Sequence, residues 1–64
     1  MVVFEIKSGN FRYTCRKPYD VYDLIDCMSA HDSLIAIEAS LWCEFACIGE
    51  VYEHDNFTIE VVER

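Results

Sequence analysis

The sequence predicts a small α+β domain in which a four-stranded antiparallel sheet carries two helices on one face. Apolar and polar residues alternate at both ends of the chain, which is typical of two β-hairpins, and apolar residues recur with helical spacing between them. The predicted element order is therefore ββααββ. Helices packed on one face of an antiparallel sheet bury the apolar residues of both layers, so all 64 residues are predicted to form a single domain.

The first hairpin is predicted from residues 2–7 and 11–16, with residues 8–10 as its turn. The turn contains glycine and asparagine, which tolerate the positive φ angles of tight hairpin turns. The expected register puts Ile6 and Tyr13 on the same face of the sheet. A slip of one residue would move a charged arginine onto that face, so the apolar pattern specifies the register. Residues 50–64 predict the second hairpin.

Helix 1 is predicted to begin at Pro18, because proline suits the first turn of a helix. Its apolar residues follow at helical spacing: Val21, Leu24, Ile25 and Met28. Three aspartates fall on the opposite face: Asp20, Asp23 and Asp26. They form a predicted acidic ridge.

Helix 2 is predicted over roughly residues 33–48, with Asp32 or Ser33 as its N-cap and Gly49 ending it as the C′ residue. It is apolar around most of its circumference. One stripe is expected to face the sheet, and it consists of Leu34, Ile37, Leu41, Phe45 and Ile48. A second apolar surface lies beyond Glu38 and Glu44, and it consists of Ile35, Ala36, Ala39, Trp42, Cys43, Ala46 and Cys47.

The second apolar surface of helix 2 has two interpretations. Helix 1 packs closely over it, with Ala39 and Ala46 allowing the approach. Alternatively, Ile35 and Trp42 contact another chain, since an exposed apolar patch usually marks an interaction site and tryptophan is frequent among binding hot spots. A domain this small buries only ~60% of the surface of its unfolded chain, which favours the second interpretation.

Charge is distributed unevenly along the chain, whose formal net charge is −7. Residues 1–17 contain four bases and one acid (net +3), whereas residues 18–64 contain one base and eleven acids (net −10). So few cations exclude nucleic-acid binding over most of the surface. The acids instead predict a protein partner with a basic surface. The predicted partner-binding residues are Asp20, Asp23, Asp26, Ile35, Glu38, Trp42 and Glu44.

The four cysteines are predicted to be reduced and the protein cytoplasmic, because the amino end lacks the pattern of a signal peptide. Cys15 is expected near Cys43 or Cys47, which leaves a thiol or zinc-binding protein as one alternative. Helical spacing puts Cys27 about 10 Å from Cys43, too far for a shared zinc ion. Buried cysteine usually behaves as a small apolar residue, so no metal or other cofactor is predicted.

Catalysis and membrane insertion are not predicted. His31 and His54 have no evident nucleophile beside them, and the two glycines are too few for a phosphate-binding loop. No apolar run approaches the ~20 residues of a membrane span. The predicted function is that of a small acidic, non-catalytic protein-binding module. Its size and charge suit an inhibitor that docks on a nucleic-acid-binding surface, as inhibitors of phages and mobile elements do, although no motif of theirs is present. The other alternative is a homodimer formed through Ile35 and Trp42.

Overall fold

The predicted architecture is confirmed by a computed structural model, which describes residues 1–28 and 32–64. The elements follow in the order ββααββ. Their bounds are β1 Val2–Ser8, β2 Phe11–Cys15, α1 Pro18–Met28, α2 Ser33–Phe45, β3 Val51–Glu53 and β4 Thr58–Glu63. The strands form one antiparallel sheet in the order β2-β1-β4-β3, and both helices pack on one of its faces.

The first hairpin has the register that the sequence predicts. Ile6 lies opposite Tyr13, and Lys7 lies opposite Arg12. Gly9 supplies the turn with a φ of 59°, a left-handed conformation that costs glycine no Cβ clash. Alternate residues of β1 and β2 therefore point to opposite faces, with Ile6 towards the helices and Lys7 away from them.

The second hairpin places β4 in the centre of the sheet and β3 at its edge. Tyr52 lies opposite Ile59. The turn between these strands is closed by the Phe57 carbonyl, which accepts a hydrogen bond from the His54 amide at 2.9 Å. Because β4 also pairs with β1, the two hairpins join into one continuous sheet.

The core lies between the two central strands and the helices. Ile6 and Ile59 are adjacent across β1 and β4, and both are fully buried. Helix α1 contributes Val21 and Ile25, each with 0% exposure, which confirms its predicted apolar face. Phe57 closes the core at the hairpin end, at 3% exposure.

Helix α2 begins as predicted and ends earlier than predicted. The Asp32 carboxylate accepts a hydrogen bond from the Leu34 amide at 3.2 Å, which identifies Asp32 as the N-cap. The helix ends at Phe45, because Ala46 is extended with a ψ of 147°. The prediction of Gly49 as the C′ residue was wrong. With a φ of 95°, Gly49 forms the turn into β3 and donates its amide hydrogen bond to the Val61 carbonyl at 2.8 Å.

The rotation of α2 about its axis differs from the rotation that the sequence predicts. The fully buried positions of the helix are Ala36 and Ala39, with Cys43 at 3% exposure. The stripe expected to face the sheet is instead exposed, with Leu34 at 75% and Phe45 at 82%. The large side chains of the sheet and of α1 already fill the interior, so α2 approaches through its small residues.

Candidate functional site

An exposed apolar surface follows the outer face of α2, and we call it the outer stripe. Four of its side chains belong to α2 and the fifth lies just beyond: Leu34, Ile37, Leu41, Phe45 and Ile48, with exposures of 75%, 43%, 51%, 82% and 56%. The helical spacing of the first four aligns them along one side of the helix. Together they expose on the order of several hundred Å² of apolar surface, the size at which a patch usually has a binding function.

Aromatic contacts fix the rotation that exposes the outer stripe. Trp42 packs on Tyr52 of β3 with 5.5 Å between ring centroids, and Tyr52 stacks on Phe57 at 6.0 Å. The stack continues to His54, whose ring lies 4.9 Å from that of Phe57. Such contacts contribute beyond the burial of area alone, so they join the inner side of α2 firmly to the second hairpin.

The two apolar residues that the sequence analysis assigned to partner binding lie on this inner side. Ile35 and Trp42 are partly buried and pack against the core cluster. Trp42 contacts Tyr52 of the second hairpin, so the second apolar surface is covered at least in part within the domain, as the first interpretation expects. Their role in binding stays a prediction, whereas the outer stripe presents more apolar surface to a partner.

Acidic residues border the outer stripe on both sides. Glu38 and Glu44 are exposed, and at 100° per residue they lie about 60° to either side of the stripe. Burial, and then the negative charge of Glu38, raises the pKa of Tyr52, which places that carboxylate near the inner edge of the helix. Neither helix contains a lysine or an arginine, so no cation of α1 or α2 neutralises this rim.

The acidic ridge of α1 is only partly free for contact. Asp20 and Asp23 are exposed, and Asp26 is half-buried. Asp20 lies close enough to Cys15 for its charge to add to the effect of burial in raising the pKa of that thiol. The three aspartates add to the negative potential of the helical layer, although their predicted contact with a partner stays a prediction.

Two of the four cysteines meet in the core. Cys15 ends β2 and Cys43 lies on the buried side of α2, with exposures of 8% and 3%. Burial, and then the charge of Cys15, raises the pKa of Cys43 to about 12. Cys27 and Cys47 are exposed, and all four are free thiols. Among residues 1–28 and 32–64, no group of three or more metal-ligating side chains is placed to hold an ion. His31 lies outside the described residues.

Thiol reactivity therefore distinguishes the two cysteine pairs. We expect an aromatic disulfide reagent at pH 8 to modify Cys27 and Cys47 rapidly and Cys15 and Cys43 only as the protein opens, since a buried, protonated thiol is a poor nucleophile. The measurement is the time course of released thiolate in native and denatured protein. Serine at both exposed positions should remove the rapid phase. A rapid phase of four thiols would contradict the burial of Cys15 and Cys43.

The face of the sheet away from the helices carries a second candidate site, which we call the basic cleft. It has a volume of about 160 Å³ and is lined by Glu5, Ile6, Lys7, Arg12, Tyr13, Thr14 and Arg64. Glu5 forms an ion pair with Arg64. The cleft thus gathers three of the five bases of the chain.

Comparison with known proteins adds no assignment to either surface: no protein-family model, curated protein or solved structure matches the chain. None of the described helices is both long and apolar enough to cross a membrane.

Proposed function

We propose that the protein is a non-catalytic binding module that docks the outer face of α2 into an apolar groove of a partner protein. The observation that carries this proposal is the outer stripe, on which Phe45 is 82% exposed and Leu34 75% exposed. Apolar residues on one face of a helix are the anchors by which helices bind in protein grooves.

The charge around the outer stripe supports a partner whose groove is edged by lysine and arginine. The N-cap and the two helices carry six acids and no bases: Asp20, Asp23, Asp26, Asp32, Glu38 and Glu44. Opposite charge on the partner would accelerate association, while the apolar anchors would supply most of the affinity. Nucleic-acid-binding surfaces are basic, so an inhibitor of a nucleic-acid-binding protein belongs to this class of function.

The same charges disfavour a homodimer in which the outer stripe of one copy contacts the outer stripe of the other. In an isologous contact through the outer stripe, Glu38 and Glu44 of one copy would approach the equivalent acids of the other. No base on α1 or α2 is available to offset that repulsion. A partner with the opposite rim charge avoids this cost.

Site-directed photocrosslinking tests the proposal. A photoactivatable phenylalanine analogue replaces Phe45, and in a matched variant it replaces Val51, an exposed apolar residue of β3 with 49% exposure. We expect only the Phe45 position to capture a partner in cells of the natural source, with the crosslinks mapping to apolar residues flanked by lysine or arginine. Binding of the purified partner should fall at least about 30-fold in Phe45→Asp and stay unchanged in Val51→Asp.

Two outcomes would overturn the proposal. Crosslinks from Phe45 to a second copy of the chain would replace the basic partner by a homodimer. Equal capture from both positions would mean that the outer stripe has no special role. The salt dependence provides a further check, because the association rate should decrease as ionic strength rises.

A further inference from the structure

The strongest observation outside the outer stripe is a pair of like charges held side by side on the open face of the sheet. Lys7 of β1 and Arg12 of β2 are directly opposite each other in the register. Side chains at such positions have Cβ atoms about 5 Å apart, and like charges there are destabilising unless something compensates them.

Two carboxylates lie on the same face of the sheet, Glu5 and, opposite it on β4, Glu60, and neither forms an ion pair with Lys7 or Arg12. The carboxylate of Glu5 is engaged by Arg64. Within the described part of the chain, the side chains of Lys7, Arg12 and Thr14 have neither an ion pair nor a hydrogen bond. Two cationic donors and a hydroxyl therefore line one cleft without protein partners, and a ligand can replace the water that these donors bind.

The charge of the basic cleft is opposite to that of the molecule as a whole. Its lining contains three bases and one acid, whereas the chain has a net charge of −7. The cleft has a volume of about 160 Å³, which is sufficient for a tetrahedral oxyanion.

We infer that the basic cleft is a binding site for a phosphate group. Arg12 would donate two parallel N–H hydrogen bonds to two phosphate oxygens. Lys7 would contribute a point charge, and Thr14 would donate a hydrogen bond from its hydroxyl group. A bound phosphate would relieve the repulsion between the two cations. The site lies on the face of the sheet opposite to α2, so the inference is independent of the proposed docking of the outer stripe.

Titration with phosphate, followed by amide NMR at constant ionic strength in sodium chloride, tests the inference. Inorganic phosphate and glycerol 3-phosphate are titrated separately. We expect saturable shifts confined to residues 5–7 and 12–14, weakened about tenfold or more in Arg12→Gln. The matched control is Arg16→Gln, which removes the same charge from an exposed position that does not line the basic cleft. Well-dispersed spectra confirm that both variants are folded.

The two ligands distinguish the sources of the phosphate group. Equal or tighter binding of glycerol 3-phosphate would identify a site for phosphate monoesters, and binding of inorganic phosphate alone would identify a site for the free ion. Shifts that increase linearly without saturation would overturn the inference. So would an equal loss in Arg12→Gln and Arg16→Gln, because the effect would then reflect the total charge rather than the basic cleft.

Discussion

Replacing Ile25 by alanine should remove a large share of the free energy of unfolding, whereas the same replacement at Ile37 should have almost no effect on stability. Ile25 is fully buried against the sheet, and Ile37 on the outer stripe is 43% exposed. Removing a buried isoleucine side chain costs about 2–5 kcal/mol. A domain of this size has a free energy of unfolding of only about 3–10 kcal/mol, so the loss is a large share of the total.

The two isoleucines form a matched pair because both lie in helices and both changes remove the same atoms. Urea unfolding followed by circular dichroism gives the free energy of unfolding of each variant. Ile37→Ala should remain within about 0.5 kcal/mol of the parent protein, as is usual for surface positions. Similar losses at both positions would show that the outer stripe is buried in solution, either by this chain or by another copy.

A second large effect is expected when the sizes of two residues on α2 are exchanged. Ala39→Leu should destabilise the fold by about 1–3 kcal/mol or more, because Ala39 is fully buried and the added atoms have no space. Leu41→Ala should be nearly neutral, since Leu41 is 51% exposed and alanine is the better helix former. Enlarging a side chain would then be more harmful than truncating one.

The exchange also tests the rotation of α2 directly. If the helix had the orientation expected from the sequence, Leu41→Ala would create a cavity costing about 2–5 kcal/mol and Ala39→Leu would be tolerated. Thermal unfolding at two protein concentrations, tenfold apart, distinguishes burial of Leu41 within one chain from its burial by self-association. A loss in Leu41→Ala that depends on concentration would indicate a dimer through the outer stripe.

The sequence predicts the sheet well because each strand carries its own local signal. Gly9 marks a tight turn, and the alternation around Ile6 and Tyr13 admits only one register that keeps charge out of the core. The N-cap at Asp32 is likewise local, since one side chain satisfies a backbone amide two residues away. Features that depend on neighbouring residues alone were therefore predicted with nearly correct bounds.

The rotation of α2 could not be predicted in the same way. Its apolar pattern has two candidate faces, and the usual preference for burying the larger side chains selects the wrong one. The choice depends on how much space remains between α1 and the sheet, which is a property of the packed structure. The small residues at Ala36 and Ala39 were the available signal, because a helix packed closely against other elements presents small side chains to them.

Each candidate site also combines features that are visible in the sequence with features that depend on the packed structure. The acidic rim of Glu38 and Glu44 was evident in the sequence, whereas the apolar surface that it borders is the outer stripe rather than Ile35 and Trp42. The complete lining of the basic cleft could not be predicted, because Arg64 joins it only through the pairing of β4 with β1. The sequence does indicate a cluster of bases on the first hairpin, and the register brings two of them, Lys7 and Arg12, directly opposite each other.

The pairing of β1 with β4 at the centre of the sheet has a consequence for how the chain folds. The partners Lys7 and Thr58 are about 50 positions apart in the sequence, so most of the chain must be gathered before the central ladder can close. The two hairpins can form early from local contacts, but each is only marginally stable in isolation. We therefore expect a single cooperative folding step on the millisecond-to-second scale, limited by the docking of the two hairpins.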